Sequence, residues 1–279
     1  MVYGAALEKR SRFLASVGSN PTLSARIKSS MKKIIAIGGG EIGRPGYPVE
    51  TTEIDQEIIR LSGKEHPKLL FIPTASSDSE SYYEAIVEHF GNRLDCQTDV
   101  LYLIRDKPII KEIKEKIFRS DIVYVGGGNT SKMMRIWRQT GVDVILCQAY
   151  EKGLVLSGMS AGAICWFRWG NSDSRRFTNP DADLIRVTGL GLINALYCPH
   201  YDVEKDRKPD LKKLMYKVPG IAIAVDNCCA IEVIDNKYRI ISSKPSANAY
   251  KIYWSKGRFF EKIIDKKEVF ETLENLLNK

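Results

Sequence analysis

The sequence predicts an α/β protein with a mostly parallel sheet that carries helices on both faces. Three observations support this. From Met31 to about residue 167, short apolar runs alternate with amphipathic stretches. The apolar runs are continuous rather than alternating, which is typical of strands buried on both faces. The stretches between them are long enough for the crossover helices that join parallel strands.

The predicted elements follow one another without a linker or an internal repeat. Strands are expected over 32–40, 67–76, 97–104, 121–129 and 154–160, and helices over 53–63, 79–94, 107–120, 130–141, 142–153 and 161–167. Gly63 supplies a helix stop, and Ser79 and Thr130 or Ser131 supply helix starts. We therefore expect a repeating strand–helix order over the first half of the chain.

After about residue 168 the rhythm changes to strands joined by loops. The stretches 186–202 and 220–235 are predicted as strands, 236–264 as a hairpin or meander, and 266–279 as a closing helix. We expect one domain over residues 31–279, with mixed strands at one side of the sheet and an extra β-hairpin near the C-terminus. Residues 1–30 are basic, show no clear strand, and are interpreted as a tail.

Composition excludes several classes of function. The formal charge is +8, yet no run of Lys and Arg is interleaved with aromatic residues as in a nucleic-acid-binding face. No apolar stretch reaches the length of about 18 residues that a membrane span needs. Six cysteines include no CxxC pair, and the three histidines show no zinc-ligand spacing. We expect reduced thiols, no metal or cofactor, and a cytoplasmic protein that is a monomer or a homodimer.

The stretch Gly158–Gly162, with the sequence GMSAG, has the spacing of a nucleophile elbow. In such an elbow a serine occupies a tight turn between a strand and a helix, and its neighbours must be small. Its hydroxyl then stands at the carboxyl end of the sheet, where open α/β sheets bind ligands. Ser160 is therefore the candidate nucleophile, and the amide of Ala161 is a candidate oxyanion donor. An ordinary tight turn has the same spacing and stays open as an alternative.

Two glycine-rich stretches end strands. In VGGGNTSK, the amides of Gly127 and Gly128 can converge on an anion, and Asn129 is expected to face the substrate. A glycine turn that only allows close helix packing is the alternative. The stretch GGGEIG at 38–43 raises the same question more weakly, because no nucleophile follows it.

His200 is the candidate general base. It follows a predicted strand and Pro199, in a loop that leaves the sheet. His66 lies in a charged loop and His89 in a predicted helix, so both are better explained by solvation or packing. A base must reach the nucleophile and be oriented by a third group. The case for His200 depends on Ser160, because a single loop histidine is more often structural.

The third member of a triad is the least determined. Asp226 ends a predicted strand and is the preferred candidate, because a carboxylate at a strand end can lie beside His200. Asp173 and Asp202 are alternatives, and Asp173 would give the Ser–Asp–His order of α/β-hydrolases.

The stretches GGGNTSKMM, SGMSAGAICWF, PHYD and AVDNCCAIE together resemble the peptidase E and cyanophycinase family of serine peptidases, family S51. The resemblance runs in order from residue 31 to the C-terminus. It implies a flavodoxin-like fold like that of class I glutamine amidotransferases, with Ser160 as nucleophile and His200 as base. It also matches Gly127, Gly128 and Ala161 to oxyanion-hole positions. The family uses a Glu as the third member, whereas the matching stretch here offers Asp226.

The resemblance implies hydrolysis of small peptides with an N-terminal or β-linked aspartyl residue through an acyl-enzyme. Such a substrate needs a cation for its carboxylate. Candidates are Lys132, Arg168, Arg175 and Arg176, although surface solvation would explain each of them. Two other classes stay open: an amidotransferase-like binding protein that has lost activity, and a small-ester hydrolase.

Overall fold

The structure is a computed structural model that describes residues 30–279. Its strands are β1 (Lys33–Ile37), β2 (Lys68–Ile72), β3 (Gln97–Val100), β4 (Ile122–Val125), β5 (Val155–Met159), β6 (Phe167–Ser172), β7 (Ile185–Thr188), β8 (Ile193–Cys198), β9 (Ala222–Val225), β10 (Cys229–Ile234), β11 (Lys237–Ser242), β12 (Ala249–Ser255), β13 (Arg258–Ile264) and β14 (Glu271–Thr272). Its helices are α1 (Thr52–Ser62), α2 (Glu80–Ile86), α3 (Ile110–Arg119), α4 (Thr130–Thr140), α5 (Val142–Glu151), α6 (Ala161–Ile164), α7 (Arg207–Lys217) and α8 (Leu273–Leu277). Helix α2 continues into a π-helical segment, Val87–Arg93. The interpretation of residues 1–30 as a tail lies outside the described residues, except for Ser30.

The main sheet has eight strands in the order β14-β11-β10-β1-β5-β4-β2-β3. Strands β1, β5, β4, β2 and β3 are parallel, as the alternation of strands and helices predicts. Strands β10 and β11 extend the sheet beyond β1 in antiparallel orientation. The parallel strands place their carboxyl ends, and the loops that follow them, at one edge of the sheet.

A second sheet departs from the sequence prediction. The late strands do not all flank the main sheet, since six of them form a separate sheet in the order β13-β12-β9-β8-β6-β7. Strands β9 and β10 lie in different sheets, although only residues 226–228 separate them in the chain. Strands β12 and β13 form the hairpin expected near the C-terminus. The apolar patterns of the two sheets are alike, so sequence periodicity cannot distinguish them.

The two sheets share one apolar core. It includes Ile34 of β1, Tyr197 of β8 and Ile223 of β9, each fully buried. The Tyr197 hydroxyl donates a hydrogen bond of 3.0 Å to the carbonyl oxygen of Ala36. The end of β8 is therefore held against the end of β1, and the loop that follows β8 leaves at the edge that carries the site.

One local prediction was wrong, and one helix was not predicted. Helix α6 ends at Ile164, and Phe167 begins strand β6, because the long apolar run after Ser160 continues from one turn of helix into the second sheet. Helix α7 was not predicted, because its stretch is basic, contains a proline and has weak apolar periodicity. None of the helices in residues 30–279 combines the length and the apolar character needed to cross a membrane.

Candidate active site

Ser160 lies in a strained turn between β5 and α6. Its φ and ψ are 55° and −110°, a conformation that costs a residue with a side chain about 1–3 kcal/mol. The backbone passes so closely that a Cβ on Gly162 would stand 2.0 Å from the carbonyl oxygen of Val125. The small residues of the elbow are therefore required by packing. The Ser160 side chain is partly exposed, and its Oγ makes no hydrogen bond with another described residue.

Strand β1 brings Ser160 and His200 together. The amide of Ser160 donates to the carbonyl oxygen of Ile37 at 3.1 Å, and the amide of His200 donates to that of Gly38 at 3.2 Å. Two residues that are 40 positions apart are thus anchored on consecutive carbonyls at the end of one strand. His200 also has a positive φ, 53°, so both candidate reactive residues occupy strained backbone. The two side chains are not hydrogen-bonded to each other here, and such contacts often tighten only when substrate binds.

Asn227 orients the imidazole of His200. Its Oδ1 lies 2.8 Å from Nδ1 of the ring. Because an amide oxygen can only accept, Nδ1 carries the proton and Nε2 keeps a lone pair. Burial lowers the pKa of His200, and the charge of Arg207 lowers it further. The ring is therefore neutral at neutral pH, which is the state that a general base needs.

Gly39 makes room for this pair. A Cβ at position 39 would stand 2.1 Å from Asn227 Oδ1 and 2.4 Å from His200 Nδ1. The stretch GGGEIG, for which no nucleophile was found, therefore belongs to the site because a side chain there would displace the base.

The structure does not place Asp226 on His200. Its Oδ2 accepts from the amide of Asn248 at 2.9 Å and from the hydroxyl of Tyr250 at 3.3 Å. Asp226 follows the end of β9 and turns towards the second sheet, whereas Asn227, in the turn before β10, faces the histidine. The residue that contacts His200 Nδ1 is therefore Asn227, one position after the expected Asp226.

The other two acidic candidates lie near the pair. Oδ1 of Asp202 accepts from the amide of Asn227 at 2.9 Å and so supports its backbone. The charge of Asp173 raises the pKa of His200 against the effect of burial, which places this carboxylate within electrostatic range of the ring. Neither carboxylate replaces Asn227 as the hydrogen-bond partner of Nδ1.

The expected oxyanion donors are the amides of Gly127, Gly128 and Ala161. A Cβ on Gly127 would stand 4.0 Å from Oγ, so this glycine lies beside the serine. Among residues 30–279, the amides of Gly128 and Ala161 meet no protein acceptor, whereas that of Gly127 donates to the Tyr82 hydroxyl at 3.4 Å. Two donors are therefore available to a developing oxyanion, and the third is occupied.

Asn129 has a structural role rather than the expected substrate-facing one. Its Oδ1 accepts from the amide of Lys132 and caps α4, and its Nδ2 donates to the carbonyl oxygen of Ser174. Both ends of the side chain are therefore used within the protein.

Arg207, the first residue of α7, is a buried cation that no sequence pattern indicated. Its side chain is 1% exposed. Its Nε donates to Glu204 at 2.8 Å and its Nη1 to the carbonyl oxygen of Asn171 at 2.6 Å, while Nη2 has no acceptor in the described part of the chain. The amide of Glu204 donates to the carbonyl oxygen of His200 at 3.2 Å, so the guanidinium that pairs with Glu204 lies near the site. The histidine seven positions earlier was the only available signal for it.

The cations expected from the sequence are mostly engaged elsewhere. Lys132 donates to the hydroxyl of Ser77, Arg168 donates to Asn194, and Arg176 pairs with Asp206. Arg175 is exposed. Within residues 30–279, no group of three or more His, Cys, Asp and Glu side chains is arranged to hold a metal ion.

Two uncharacterized peptidases resemble this chain in sequence. The chain is 37% identical over 235 residues to the uncharacterized peptidase YgaJ of Bacillus subtilis, covering 83% of this chain and 96% of that protein. It is 30% identical over 151 residues to the uncharacterized peptidase Lmo0363 of Listeria monocytogenes, covering 51% of this chain and 68% of that one.

Solved structures show the same fold at low sequence identity. A peptidase from an acI-B1 Actinobacterium superposes with a TM-score of 0.66 at 18% identity, over 88% of this chain and 98% of that one. A putative peptidase E protein from Listeria monocytogenes EGD-e gives a TM-score of 0.57 at 19% identity, over 76% and 99%. The family model of Peptidase family S51 matches residues 34–241, a range that contains the elbow, His200 and Asn227. By sequence and by fold, this chain belongs to peptidase family S51.

Proposed function

We propose that the protein is a serine peptidase that hydrolyses small peptides with an N-terminal or β-linked aspartyl residue through an acyl-enzyme. The observation that carries the proposal is the joint anchoring of Ser160 and His200 on the carbonyls of Ile37 and Gly38. It combines a strained serine turn with a neutral imidazole whose Nε2 is available. The Asn227 contact fixes that tautomer.

The proposed reaction is acyl transfer in two steps. Nε2 of His200 takes the proton of Ser160 as Oγ attacks the peptide carbonyl carbon. The amides of Gly128 and Ala161 donate to the resulting oxyanion. His200 then returns the proton to the leaving amine as the C–N bond breaks. A water molecule, deprotonated by His200, attacks the acyl-enzyme and releases the acid and Ser160.

The substrate's aspartyl carboxylate is proposed to bind Arg207. Its guanidinium is nearly buried, so an ion pair formed there is screened less than one on the surface. Two of its nitrogens are held by Glu204 and Asn171, which presents Nη2 in a defined direction. A charge-assisted bond from a positioned guanidinium selects a carboxylate over an amide.

The test begins with a fluorophosphonate probe and intact-mass measurement on the full chain and on Ser160→Ala. One adduct is expected on the parent and none on the variant. A screen of Asp-X against Asn-X dipeptides follows, in which Ser160→Ala should lose at least about 10³-fold in kcat. Arg207→Gln should lose the preference for Asp-X. If Ser160→Ala hydrolyses Asp-X peptides as fast as the parent, the proposed reaction is wrong.

One observation favours a second candidate, an amidotransferase-like binding protein without hydrolytic activity. The group on His200 Nδ1 is the neutral Asn227, and an amide stabilises a developing imidazolium less than a carboxylate does. A parent protein that binds Asp-X peptides yet gives no adduct with the probe would support this candidate.

We also propose a cytoplasmic protein that acts on a small peptide as a monomer or a homodimer. Cys96, Cys165, Cys198, Cys228 and Cys229 are free thiols and buried, which suits a reducing compartment. Cell fractionation and sedimentation of the full chain test compartment and assembly.

A further inference from the structure

The Tyr82 hydroxyl is hydrogen-bonded to an amide of the glycine loop beside Ser160. It accepts from the amide of Gly127 at 3.4 Å. This contact takes Gly127 out of the set of free donors and leaves Gly128 and Ala161. A tyrosine from the segment after β2 thus reaches the glycine loop after β4.

Several contacts hold the Tyr82 ring in this position. Its ring packs edge-on against Phe71, with ring centroids 5.0 Å apart. The hydroxyl of Ser79 caps α2 by accepting from the amide of Tyr82 at 3.3 Å, which sets where the side chain leaves the helix. A Cβ on Gly126 would stand 3.0 Å from both Phe71 and Tyr82, so the first glycine of VGGGN admits this ring. The position of the phenol is therefore built by packing.

The phenol has a proton to donate. A hydroxyl that accepts from an amide still carries its own O–H, and this O–H meets no acceptor in the described part of the chain. Burial raises the pKa of Tyr82, so the group stays protonated at neutral pH. The side chain as a whole is partly exposed.

The contacts also limit the distance to the nucleophile. Tyr82 Oη is 3.4 Å from the nitrogen of Gly127, and a Cβ on Gly127 would be 4.0 Å from Ser160 Oγ. With ordinary bond lengths, the two hydroxyls lie within about 10 Å of each other. One carbonyl group can be attacked by Ser160 and accept from Tyr82 when the two hydroxyls stand about 5–7 Å apart, a separation that lies inside this limit.

We propose that the Tyr82 hydroxyl donates a hydrogen bond to the carbonyl oxygen of the scissile bond, as a third donor beside the amides of Gly128 and Ala161. The Gly127 amide positions the phenol by occupying one of its lone pairs. Tyr82 is then a catalytic residue, and the glycine loop contributes to the reaction partly by positioning the Tyr82 side chain. This inference rests on the proposed serine-peptidase function.

The experiment compares Tyr82→Phe with Tyr83→Phe. Tyr83 also packs on Phe71, with ring centroids 6.4 Å apart, but its hydroxyl donates to the carbonyl oxygen of Thr98. Both variants keep their rings and lose one hydroxyl. In Tyr82→Phe we expect kcat for an Asp-X dipeptide and the rate of fluorophosphonate inactivation to fall about 10- to 100-fold, with KM nearly unchanged. Tyr83→Phe should remain within about twofold of the parent.

Equal rates for the two variants would overturn the inference, and so would a faster Tyr82→Phe, because the phenol would then merely block the amide of Gly127. If Tyr82→Phe does not fold, fluorotyrosine at position 82 is a second test. Its lower phenol pKa should move the alkaline limb of activity to lower pH, because a phenolate cannot donate. An unchanged alkaline limb contradicts the proposal. Failure of the proposed function gives a different result. In that case the fluorophosphonate probe does not label Ser160, and Ser160→Ala hydrolyses Asp-X peptides as fast as the parent.

Discussion

At the residue scale, backbone strain coincides with the candidate chemistry. Ser160 and His200 both have positive φ values, 55° and 53°, although neither is glycine. Such conformations persist only where the surrounding structure enforces them. Here the enforcing contacts are the carbonyls of Ile37 and Gly38, so β1 maintains the strain at both residues.

Replacing Ser160 should separate stability from activity. We expect the free energy of unfolding of Ser160→Gly to be about 1 kcal/mol higher than that of Ser160→Ala, because glycine adopts a positive φ without steric cost. Both variants should be inactive. Urea denaturation followed by circular dichroism measures the difference, and equal midpoints for the two variants would show that the turn is not strained.

The pH profile should report the partner of His200. Because burial lowers its pKa, His200 is neutral above a pKa that lies below its ordinary value of about 6.5, and the acidic limb of kcat/KM should fall there. Asn227→Asp adds a negative charge that favours the imidazolium. The acidic limb of kcat/KM should therefore move to higher pH by about one unit. Asn227→Ala should lower kcat at least about 10-fold.

Asp226→Asn is the matched control for these variants. It keeps an acceptor for the amide of Asn248 and does not alter the group on His200. Its kcat should stay within about threefold of the parent value. Its acidic limb should lie at the same pH as that of the parent. A large loss of kcat in Asp226→Asn, with Asn227→Ala unaffected, would restore Asp226 to the triad.

At the element scale, α4 and the turn Ser174–Phe177 are joined at the N-terminus of the helix. Asn129 caps α4 and donates to Ser174, whose own hydroxyl accepts from the amide of Ser131 at 2.9 Å. The glycine loop before α4 is therefore held by hydrogen bonds on both sides. The segment that carries Asp173 is positioned by the same contacts.

Removing the cap should weaken the fold more than the chemistry. Asn129→Ala should lower the free energy of unfolding by about 1–2 kcal/mol, whereas Asn129→Asp, which keeps the capping oxygen, should lose less. Denaturant midpoints at constant m-value measure this. We expect kcat to change by less than about fivefold in both. A selective rise in KM without loss of stability would instead indicate a substrate contact.

At the scale of the whole molecule, a buried ion network ties α1 to the antiparallel end of the main sheet. Arg239 of β11 donates to Glu232 of β10 at 2.6 Å and to Glu57 of α1 at 2.8 Å. Burial raises the pKa of Glu232 to about 7 against the opposing effect of Arg239. The folded state therefore holds a proton on Glu232 that the unfolded chain releases at lower pH.

This network predicts how stability depends on pH. Below pH about 4.5 the carboxyl is protonated in both states, and its contribution is fully present. As the pH rises towards 7, the unfolded state ionises first, so the folded state loses about 3 kcal/mol. Glu232→Gln should flatten this part of the curve. Unfolding free energies of parent and variant at pH 5 and pH 8 test it, and parallel curves would contradict the prediction.

Local patterns in the sequence were enough to predict the parallel part of the main sheet and the tight strand-to-helix turn at Ser160. Each of these depends on residues close together in the chain: apolar runs set the strands, and small neighbours allow the tight turn. The membership in peptidase family S51 follows from the same ordered motifs. What the sequence determined by itself was therefore the fold class, the family and the tight turn that carries Ser160.

The tertiary structure decided which side chains meet. The separation into two sheets, the pairing of Asn227 rather than Asp226 with His200, and the approach of Arg207 and Tyr82 all depend on contacts between distant segments. The turn between β9 and β10 decides which of these two neighbouring side chains faces the histidine, and no local pattern specifies that geometry. The reason is physical: packing between sheets, which sets these directions, involves residues that the chain brings together only after folding.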